Sequence, residues 1–211
     1  MNVVQARQNT VKLPTVKLSR ESVVRAALAL LDDVGLDGLT LRALAERLHV
    51  QASALYWHVR NRQELVDQMA AAMIRDGLGD LATAGAWMDQ LADIARGFRQ
   101  TLLSHRDGAR VLAEARTADP AMSRLTELSL RNLTAAGFSP QDAMRALVSV
   151  LSYVAGFVAD EQSPRPVAHT PDPVLFPLLT AAGGDYYTPE TFEYGLELLL
   201  GGLRLARLTS R

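Results

Sequence analysis

The chain has 211 residues, of which 48% are hydrophobic and 21% charged, a composition typical of a soluble globular protein of one or two domains. It contains no cysteine, which excludes disulfides, zinc–thiolate sites and cysteine nucleophiles. No apolar run approaches the length of about 18 residues that a membrane-spanning helix needs, and the first residues lack the apolar core of a signal peptide. We therefore expect a cytoplasmic protein with no membrane partner.

Charge is distributed unevenly along the chain, although the net charge is only -1. Residues 1–62 hold more Lys and Arg than Asp and Glu, and the remainder is acidic. This distribution fits a phosphate-facing N-terminal module on an acidic body. A helical protein can show so modest an asymmetry by accident, so the charge supports nucleic-acid binding only together with a motif.

Every predicted element is a helix, because no stretch alternates with period two for long enough to form a sheet. Residues 1–18 are polar, without periodicity, and predict a flexible arm. A helix from Ser19 or Arg20 stops at Gly35, which is typical of the position after a helix. The further helices are predicted at about 41–48, 52–58, 61–82, 87–103, 109–115, 120–136, 140–160, 174–182 and 189–208. The fold class is therefore all-α.

The stretch from Thr40 to Val59 predicts two short helices joined by a turn at His49-Val50, with Thr40 as the N-cap of the first. Leu55 and Val59 are four residues apart and share a face that packs back onto the first helix. The opposite face carries aromatic side chains. Aromatic residues at helical spacing are usually part of a core, but here Leu55 and Val59 already fill that role. The outward aromatics therefore indicate a contact surface.

This pair of helices predicts a helix-turn-helix, whose second helix enters the major groove of double-stranded DNA. Arg42 is expected to reach guanine O6 and N7, and Trp57 to pack against a thymine methyl or the backbone. The phosphate contacts are predicted to come from Tyr56, His58 and Arg62. Small residues allow close approach but read few bases, so DNA shape contributes to specificity; they are Ala52, Ser53 and Ala54.

The helices predicted over about 140–160 and 189–208 are apolar nearly all round and must be covered on both sides. A mid-helix glycine costs about 1 kcal/mol relative to alanine, so several in one helix indicate close approach to another helix. A second copy of the chain, in an antiparallel four-helix bundle, is the simplest cover, and a larger monomer core is the alternative. The predicted dimer residues are Ser149, Ser152, Gly156, Gly195, Leu199 and Gly202.

Four parts of the chain, in order, resemble the TetR (tetracycline repressor) family and, within it, the tetracycline repressor's own branch. The DNA-binding head of that branch resembles GLDGLTLRALAERLHV and LYWHVRNRQELVD. Its helix 5–6 junction resembles TLLSHRDGARV, and its two dimerisation helices resemble ALVSVLSYVAGFVADEQ and YGLELLLGGL. His49 stands where the turn usually has glycine.

The resemblance implies a homodimeric repressor that binds a palindromic operator and is released by a small-molecule effector. The corresponding domains are an arm over 1–18, a helix-turn-helix domain over 19–66 and a ligand-binding and dimerisation domain over 67–211. The last helix of the DNA-binding domain continues as a connector to about residue 82.

The effector site departs from that branch, because Leu112 stands at its magnesium-binding histidine position. Leu78 and Ile94 replace a histidine and an asparagine that contact the drug. Leucine cannot ligate a metal, so we expect no metal or cofactor, and an apolar or aromatic effector with one acidic or hydrogen-bonding group. A magnesium–tetracycline repressor proper is the alternative function. The predicted ligand-binding residues are Phe98, Leu102, Leu112, Arg116, Leu147, Leu151 and Asp160.

Core packing remains an open interpretation of the apolar positions in that set, and Arg116 has the alternative of pairing with a nearby acid. No catalytic arrangement is predicted, because the four histidines are scattered and Ser104, His105 and Asp107 cannot converge as a triad on one short turn. We therefore predict a non-enzyme. A helical protein-interaction module without DNA binding would explain the bundle but not the outward aromatics.

Overall fold

The computed structural model describes residues 18–78, 85–116, 120–164 and 172–209, and over these residues it contains ten helices and no strand. The all-α prediction is confirmed. Most of the arm predicted over 1–18 and the end of the connector predicted to about residue 82 lie outside the described residues, as do residues 117–119 and 165–171. The helices are α1 Arg20–Gly38, α2 Leu41–Arg47, α3 Ala52–Leu55, α4 Arg62–Leu78, α5 Trp87–Leu103, α6 Gly108–Glu114, α7 Pro120–Ala135, α8 Pro140–Gln162, α9 Pro177–Ala182 and α10 Pro189–Thr209.

Helix α1 begins with a reciprocal cap, in which Ser19 Oγ accepts from Ser22 N at 3.1 Å and Ser22 Oγ accepts from Ser19 N at 2.9 Å. Gly35 interrupts it with φ 72°, a conformation that favours glycine. A Cβ on Gly35 would also lie 2.9 Å from Asp107 Oδ2. The predicted stop at Gly35 is thus a kink, and one further turn reaches Gly38.

The two helices of the motif form as predicted, except that the second is shorter. Thr40 Oγ1 caps α2 by accepting from Ala43 N at 3.1 Å. Helix α3 ends at Leu55, whose carbonyl accepts from both His58 N and Val59 N, so the chain leaves the helix in a tight turn. Leu44, Leu55 and Val59 are fully buried, which fixes α3 against α2 and orients its other face outward.

The body of the molecule is built around α8, which packs against α5, α6, α7 and α10. Its inward side carries a continuous apolar row of residues that are at most 3% exposed: Ala143, Ala146, Leu147, Val150, Val154 and Val158. Within the described chain, α8 is the one helix long and apolar enough to cross a membrane, contrary to the sequence expectation. One such helix is weak evidence of a membrane span, since the core helix of a globular protein meets the same criterion. The inward side of α8 packs against four other helices.

Helix α4 links the first three helices to the body, since it packs against α1 on one side and α5, α6 and α7 on the other. Asn61 Oδ1 caps it by accepting from Glu64 N at 2.8 Å. Glu64 Oε2 in turn accepts from Arg60 N at 2.8 Å.

Helix α9 begins at Pro177, later than predicted, because residues 173–175 form a turn instead. None of its residues is buried. The segment around it exposes large apolar side chains, among them Val174 at 85% and Leu178 at 84%. Most of this apolar arm, residues 172–187, is exposed in the described chain, and at its end Tyr187 packs edge-on against Phe157 of α8.

Candidate nucleic-acid interface and effector-binding body

The predicted recognition surface carries two aromatic side chains that face solvent. Trp57 is 88% exposed and Tyr56 is 56% exposed, while Leu55 between them and α2 is fully buried. Solvent exposure of a large aromatic side chain is a marker of a contact surface in a soluble protein. The local fold explains it, because the turn after α3 directs these side chains away from the α2–α3 core.

Arg42 lies on the exposed side of α2, with a side chain that is 89% exposed. Its Nε donates to Glu46 Oε1 at 3.0 Å, an i,i+4 pair along the helix. This contact leaves the two terminal nitrogens of the guanidinium without a partner in the described part of the chain. Those nitrogens are the ones that bind guanine O6 and N7.

The outer face of α3 carries only small side chains. Ala52 and Ser53 are exposed there, and Ala54 is half-buried. Sequence reasoning missed Gln51, the exposed N-cap residue, whose side chain makes no capping hydrogen bond. A glutamine amide pairs bidentately with adenine in the major groove. The residue type could have indicated this role, because N-caps are usually Ser, Thr, Asp or Asn. A glutamine at the N-cap position leaves its amide free to contact a base.

The predicted phosphate contacts divide into two kinds. His58 is half-buried. Arg62, in contrast, is directed into the protein: it donates to Leu36 O at 3.1 Å, Leu39 O at 3.3 Å and Glu114 Oε2 at 2.9 Å. The phosphate contact of Arg62 stays a prediction, because its guanidinium is hydrogen-bonded within the chain while its side chain is 42% exposed.

Arg60 is the basic side chain near the motif that the sequence reasoning left out. Its side chain is 85% exposed and its Nε donates to Glu64 Oε2 at 3.0 Å. The bond from Arg60 N lowers the pKa of the Glu64 carboxyl, so the acceptor stays ionised. The arrangement holds an arginine at the surface beside the recognition helix.

A polar seam joins the DNA-binding head to the body, between residues 32–37 and 62–67 on one side and 104–116 on the other. His105 Nδ1 lies 3.0 Å from Asp32 Oδ2, and Asp107 Oδ2 accepts from Leu36 N at 2.8 Å. Arg110 pairs with Asp37 at 2.7 Å, and this hydrogen bond lowers the pKa of the Asp37 carboxyl. The orientation of the head is thus set by directional bonds.

The predicted effector-binding residues fall into different environments. Phe98, Leu102 and Leu147 are at most 3% exposed and belong to the core of α5 and α8. Leu112 and Leu151 are half-buried and pack against that core. Arg116 and Asp160 are both exposed. The side chain of Leu78 lies outside the described residues.

Arg116 contributes a backbone contact, since its N–H donates to Asp67 Oδ1 at 2.9 Å. Gln63 Nε2 donates to the same oxygen at 3.0 Å and to Glu114 O at 2.9 Å. The end of α6 is therefore tied to α4 at several points. No group of three or more His, Cys, Asp or Glu suited to a metal ion occurs among the described residues.

The outer faces of α8 and α10 carry apolar residues at helical spacing. Met144 and Val148 are exposed on α8, and Tyr194, Leu198 and Leu205 on α10, each by at least 40%. Among the predicted dimer residues, Ser149, Ser152, Gly156 and Gly202 are exposed, and Leu199 is half-buried. A Cβ on Gly156 or Gly202 would meet nothing within 4 Å in the described part of this chain.

Gly195 has a different role from the predicted one. A Cβ there would lie 2.2 Å from Oη of Tyr153, so this glycine allows α10 to approach α8 of the same chain. The Tyr153 hydroxyl then donates to Phe192 O at 2.9 Å, and burial raises the pKa of Tyr153. The close approach expected from the glycine is present, but within one protomer.

The order of the helices, the outward face of α2–α3 and the apolar faces of α8 and α10 define a helix-turn-helix regulator of transcription. The chain matches the family model "Bacterial regulatory proteins, tetR family" over residues 23–69 and the model "Tetracyclin repressor-like, C-terminal domain" over residues 81–207. It therefore belongs to the TetR family. Members of this family are transcriptional regulators rather than enzymes.

The similarity to known proteins spans nearly the whole chain. Tetracycline repressor protein class A from transposon 1721 of Escherichia coli is 42% identical over 205 residues, covering 92% of this chain and 94% of that protein. A possible TetR family regulator from Streptomyces coelicolor A3(2) has 36% identity and a TM-score of 0.81, covering 89% of this chain and 100% of the other. BioQ, solved with its double-stranded DNA operator, has 34% identity and a TM-score of 0.68, covering 89% of this chain and 98% of the other.

Proposed function

We propose that the protein is a homodimeric repressor that binds a palindromic operator through α2, α3 and the turn after them, and that a small apolar or aromatic effector releases it. The observation that carries the DNA contact is that Tyr56, Trp57 and Arg42 all face solvent on a helix-turn-helix. BioQ, which shares this fold, was solved on an operator duplex. A protein with this role acts where the chromosome lies, in the cytoplasm.

The residues proposed for the operator differ in what they read. Arg42 and Gln51 supply the two side chains suited to base edges, guanine and adenine respectively. Tyr56, His58 and Arg60 supply backbone contacts, and Trp57 supplies apolar contact area. The small side chains on α3 allow its backbone to approach the groove closely; they are Ala52, Ser53 and Ala54.

Dimerisation is proposed through the outer faces of α8 and α10, in a four-helix bundle with the partner subunit. The exposed apolar stripes on both helices need cover, and Gly156 and Gly202 leave room for close approach. The apolar arm over residues 172–187 adds to this surface. The boundary between the DNA-binding domain and the ligand-binding and dimerisation domain is proposed at about residue 66, with α4 as the connector.

The test of the DNA-binding function is selection of duplexes from a random pool by the full-length protein, followed by titration of the selected duplex against a scrambled one. The proposal expects a palindromic consensus and a preference of at least about a thousandfold, the low end of the range for specific sites. The protein-interaction alternative expects no duplex preference at all, and that outcome would sink the repressor proposal.

The effector proposal depends on Leu112, because a half-buried leucine offers no lone pair to a metal. Class A tetracycline repressor is a close relative, so magnesium–tetracycline remains the second candidate. Thermal-shift measurements with aromatic compounds and with tetracycline, each with and without magnesium, separate the two. A stabilisation by tetracycline that needs magnesium would contradict the proposed effector class.

A further inference from the structure

A cavity of about 270 Å³ opens between the N-terminal part of α8 and the C-terminal part of α10, beside the turn that joins α7 to α8. One wall of it is apolar, because Phe138 and Ala146 are at most 8% exposed and Leu203 adds to them from α10. None of the predicted effector-binding residues is among the described residues that line it. This α8–α10 cavity is therefore distinct from the predicted effector site.

Two arginines line the α8–α10 cavity, and they differ in their pairing. Arg145 NH1 donates to Asp142 Oδ1 at 2.8 Å, and Ser139 Oγ donates to Asp142 Oδ2 at 2.7 Å. Arg207 is half-buried in the last turn of α10 and makes no side-chain hydrogen bond or ion pair within the described chain. With one carboxylate against two guanidinium groups, the described lining carries an excess of one positive charge.

The position of Arg207 has one explanation that needs no ligand. A basic residue in the last turn of a helix stabilises the helix dipole, and that role accounts for an arginine at the end of α10. It does not account for a half-buried arginine beside an apolar wall without an ionic partner in the described chain. Burial of an unpaired charge is unfavourable, and an anion bound in the cavity would offset that cost.

The lining of the cavity suits a singly charged anion with an apolar part. An excess of one positive charge matches a carboxylate better than a phosphate dianion or a cation. The apolar wall stabilises a hydrocarbon chain or ring by removing it from water. The volume is slightly below the range for drug-sized ligands, so the matching molecule is small, of about ten non-hydrogen atoms or fewer.

We propose that the α8–α10 cavity binds a small apolar monocarboxylate, whose carboxylate pairs with Arg207 and whose hydrocarbon part contacts Phe138, Ala146 and Leu203. Arg207 supplies the positive charge that no described carboxylate of the cavity neutralises. A ligand in this position touches both α8 and α10, so it stabilises the folded chain. The proposal goes beyond the repressor function and does not depend on DNA binding.

The experiment is isothermal titration calorimetry of the full-length protein with hexanoate and with its uncharged analogue hexanamide. We expect hexanoate to bind with a dissociation constant of about 1 mM or lower, and hexanamide at least about tenfold more weakly. Arg207→Gln should weaken hexanoate binding about tenfold and leave hexanamide binding unchanged. Two charge-matched controls should have no effect: Arg204→Gln, exposed on α10 outside the cavity, and Arg116→Gln, at the predicted effector site.

A second variant tests the cavity without changing its charge. Ala206→Leu places a larger side chain at an exposed position of the cavity wall, so it should weaken both compounds, and it keeps the test valid if Arg207→Gln is poorly folded. Wild-type protein that binds no hexanoate overturns the proposal, as it would if a partner subunit covered the cavity next to Ser149.

Two further results also contradict the site. Hexanoate binding that survives both cavity variants would show that the anion binds elsewhere. An equal loss in Arg204→Gln or Arg116→Gln would show that overall charge, rather than Arg207, attracts the anion. The repressor proposal is tested separately by duplex selection, so the failure of one proposal is distinguishable from the failure of the other.

Discussion

His49 is the residue at which the turn of the motif has an evident backbone cost. Its φ of 55° lies in the left-handed region, which costs an L-residue about 1–2 kcal/mol and glycine nothing. We therefore expect His49→Gly to raise the free energy of unfolding by about 1 kcal/mol, measured by urea denaturation. The sequence already indicated this position, because glycine is usual in the turn of the family.

Asp107 provides the matched control for His49, since it has φ 57° but a different environment. Its carboxylate accepts from Leu36 N at 2.8 Å and pairs with Arg110 at 3.4 Å. Asp107→Gly should therefore lower the free energy of unfolding, because the lost bonds outweigh the relieved backbone. An equal rise in the free energy of unfolding for both variants would show that backbone strain alone decides the sign of the change.

Trp57 is the residue whose substitution best separates binding from stability. At 88% exposure, Trp57→Ala should change the free energy of unfolding by no more than about 0.5 kcal/mol. Operator affinity, measured by fluorescence anisotropy, should fall about tenfold or more, as expected for a base-edge or groove contact. Trp87 is the control: it packs edge-on against Phe138 at 5.1 Å, so Trp87→Ala should destabilise the fold instead. Unchanged operator affinity in Trp57→Ala would remove the aromatic pair from the proposed interface.

At the scale of single residues, the sequence predicted which side chains are exposed better than it predicted which groups they bind. The outward direction of Tyr56 and Trp57 followed from the spacing of Leu55 and Val59, because a short helix has only one face to bury. The destination of Arg62 did not follow, because its acceptors are backbone carbonyls at the end of α1 and a carboxylate about fifty residues away in the chain. Contacts of that range depend on how the helices assemble, which periodicity does not report.

At the scale of elements, N-cap residues indicate where helices begin. Thr40 accepts from the backbone three residues on, and α2 begins where this predicted cap indicates. Ser139 caps α8 in the same way. Helix α3 was predicted too long because Leu55 and Val59 have helical spacing, while the bonds from His58 N and Val59 N to Leu55 O end the helix. The burial of Val59 there outweighs the tendency of the preceding residues to continue the helix.

The close approach of α8 and α10 is an element-scale feature that a double-mutant cycle can test. Gly195→Ala places a Cβ about 2.2 Å from Tyr153 Oη, which forces the ring or the helix to shift. We expect a loss of about 1–3 kcal/mol in the free energy of unfolding, typical of overpacking. Tyr153→Phe removes the clashing atom, so the double variant should be more stable than the sum of the two single losses predicts. Strict additivity would mean that Gly195 does not contact Tyr153 in solution.

At the scale of the whole molecule, ion pairs between distant elements make stability depend on acid pH. The hydrogen bond from Arg96 on α5 lowers the pKa of Glu193 on α10, and the one from Arg110 lowers the pKa of Asp37. A carboxyl with a lowered folded-state pKa contributes stability that is fully present above its unfolded value and lost as pH falls through the folded value. For Glu193 the loss therefore lies below about pH 4.5.

The measurement is thermal unfolding of the wild type and Glu193→Gln between pH 7 and pH 3. Glu193→Gln should be the less stable protein at pH 7, because Arg96 loses its charged partner. It should lose less stability than the wild type on acidification, since one group that binds a proton on unfolding has been removed. Glu197→Gln, on the exposed side of the same helix, removes a charge that acts on Arg96 through space only, so it should change the pH profile less than Glu193→Gln does. Parallel pH profiles for the wild type and Glu193→Gln would show that the Arg96 pair does not form in solution.

In the proposed dimer the separate parts act together, because each head is proposed to contact one half of a palindrome. Leu198 is 61% exposed on α10, on the same stripe as Tyr194 and Leu205, and a charge there has no described partner within the protomer. We expect Leu198→Glu to convert the protein into a folded monomer by sedimentation analysis, with unchanged helical content. Palindrome affinity should then fall to that of a half-site, since the second head no longer binds as an intramolecular event. A Leu198→Glu protein that stays dimeric would place the subunit interface elsewhere. One that becomes monomeric yet keeps full palindrome affinity would separate dimerisation from operator binding.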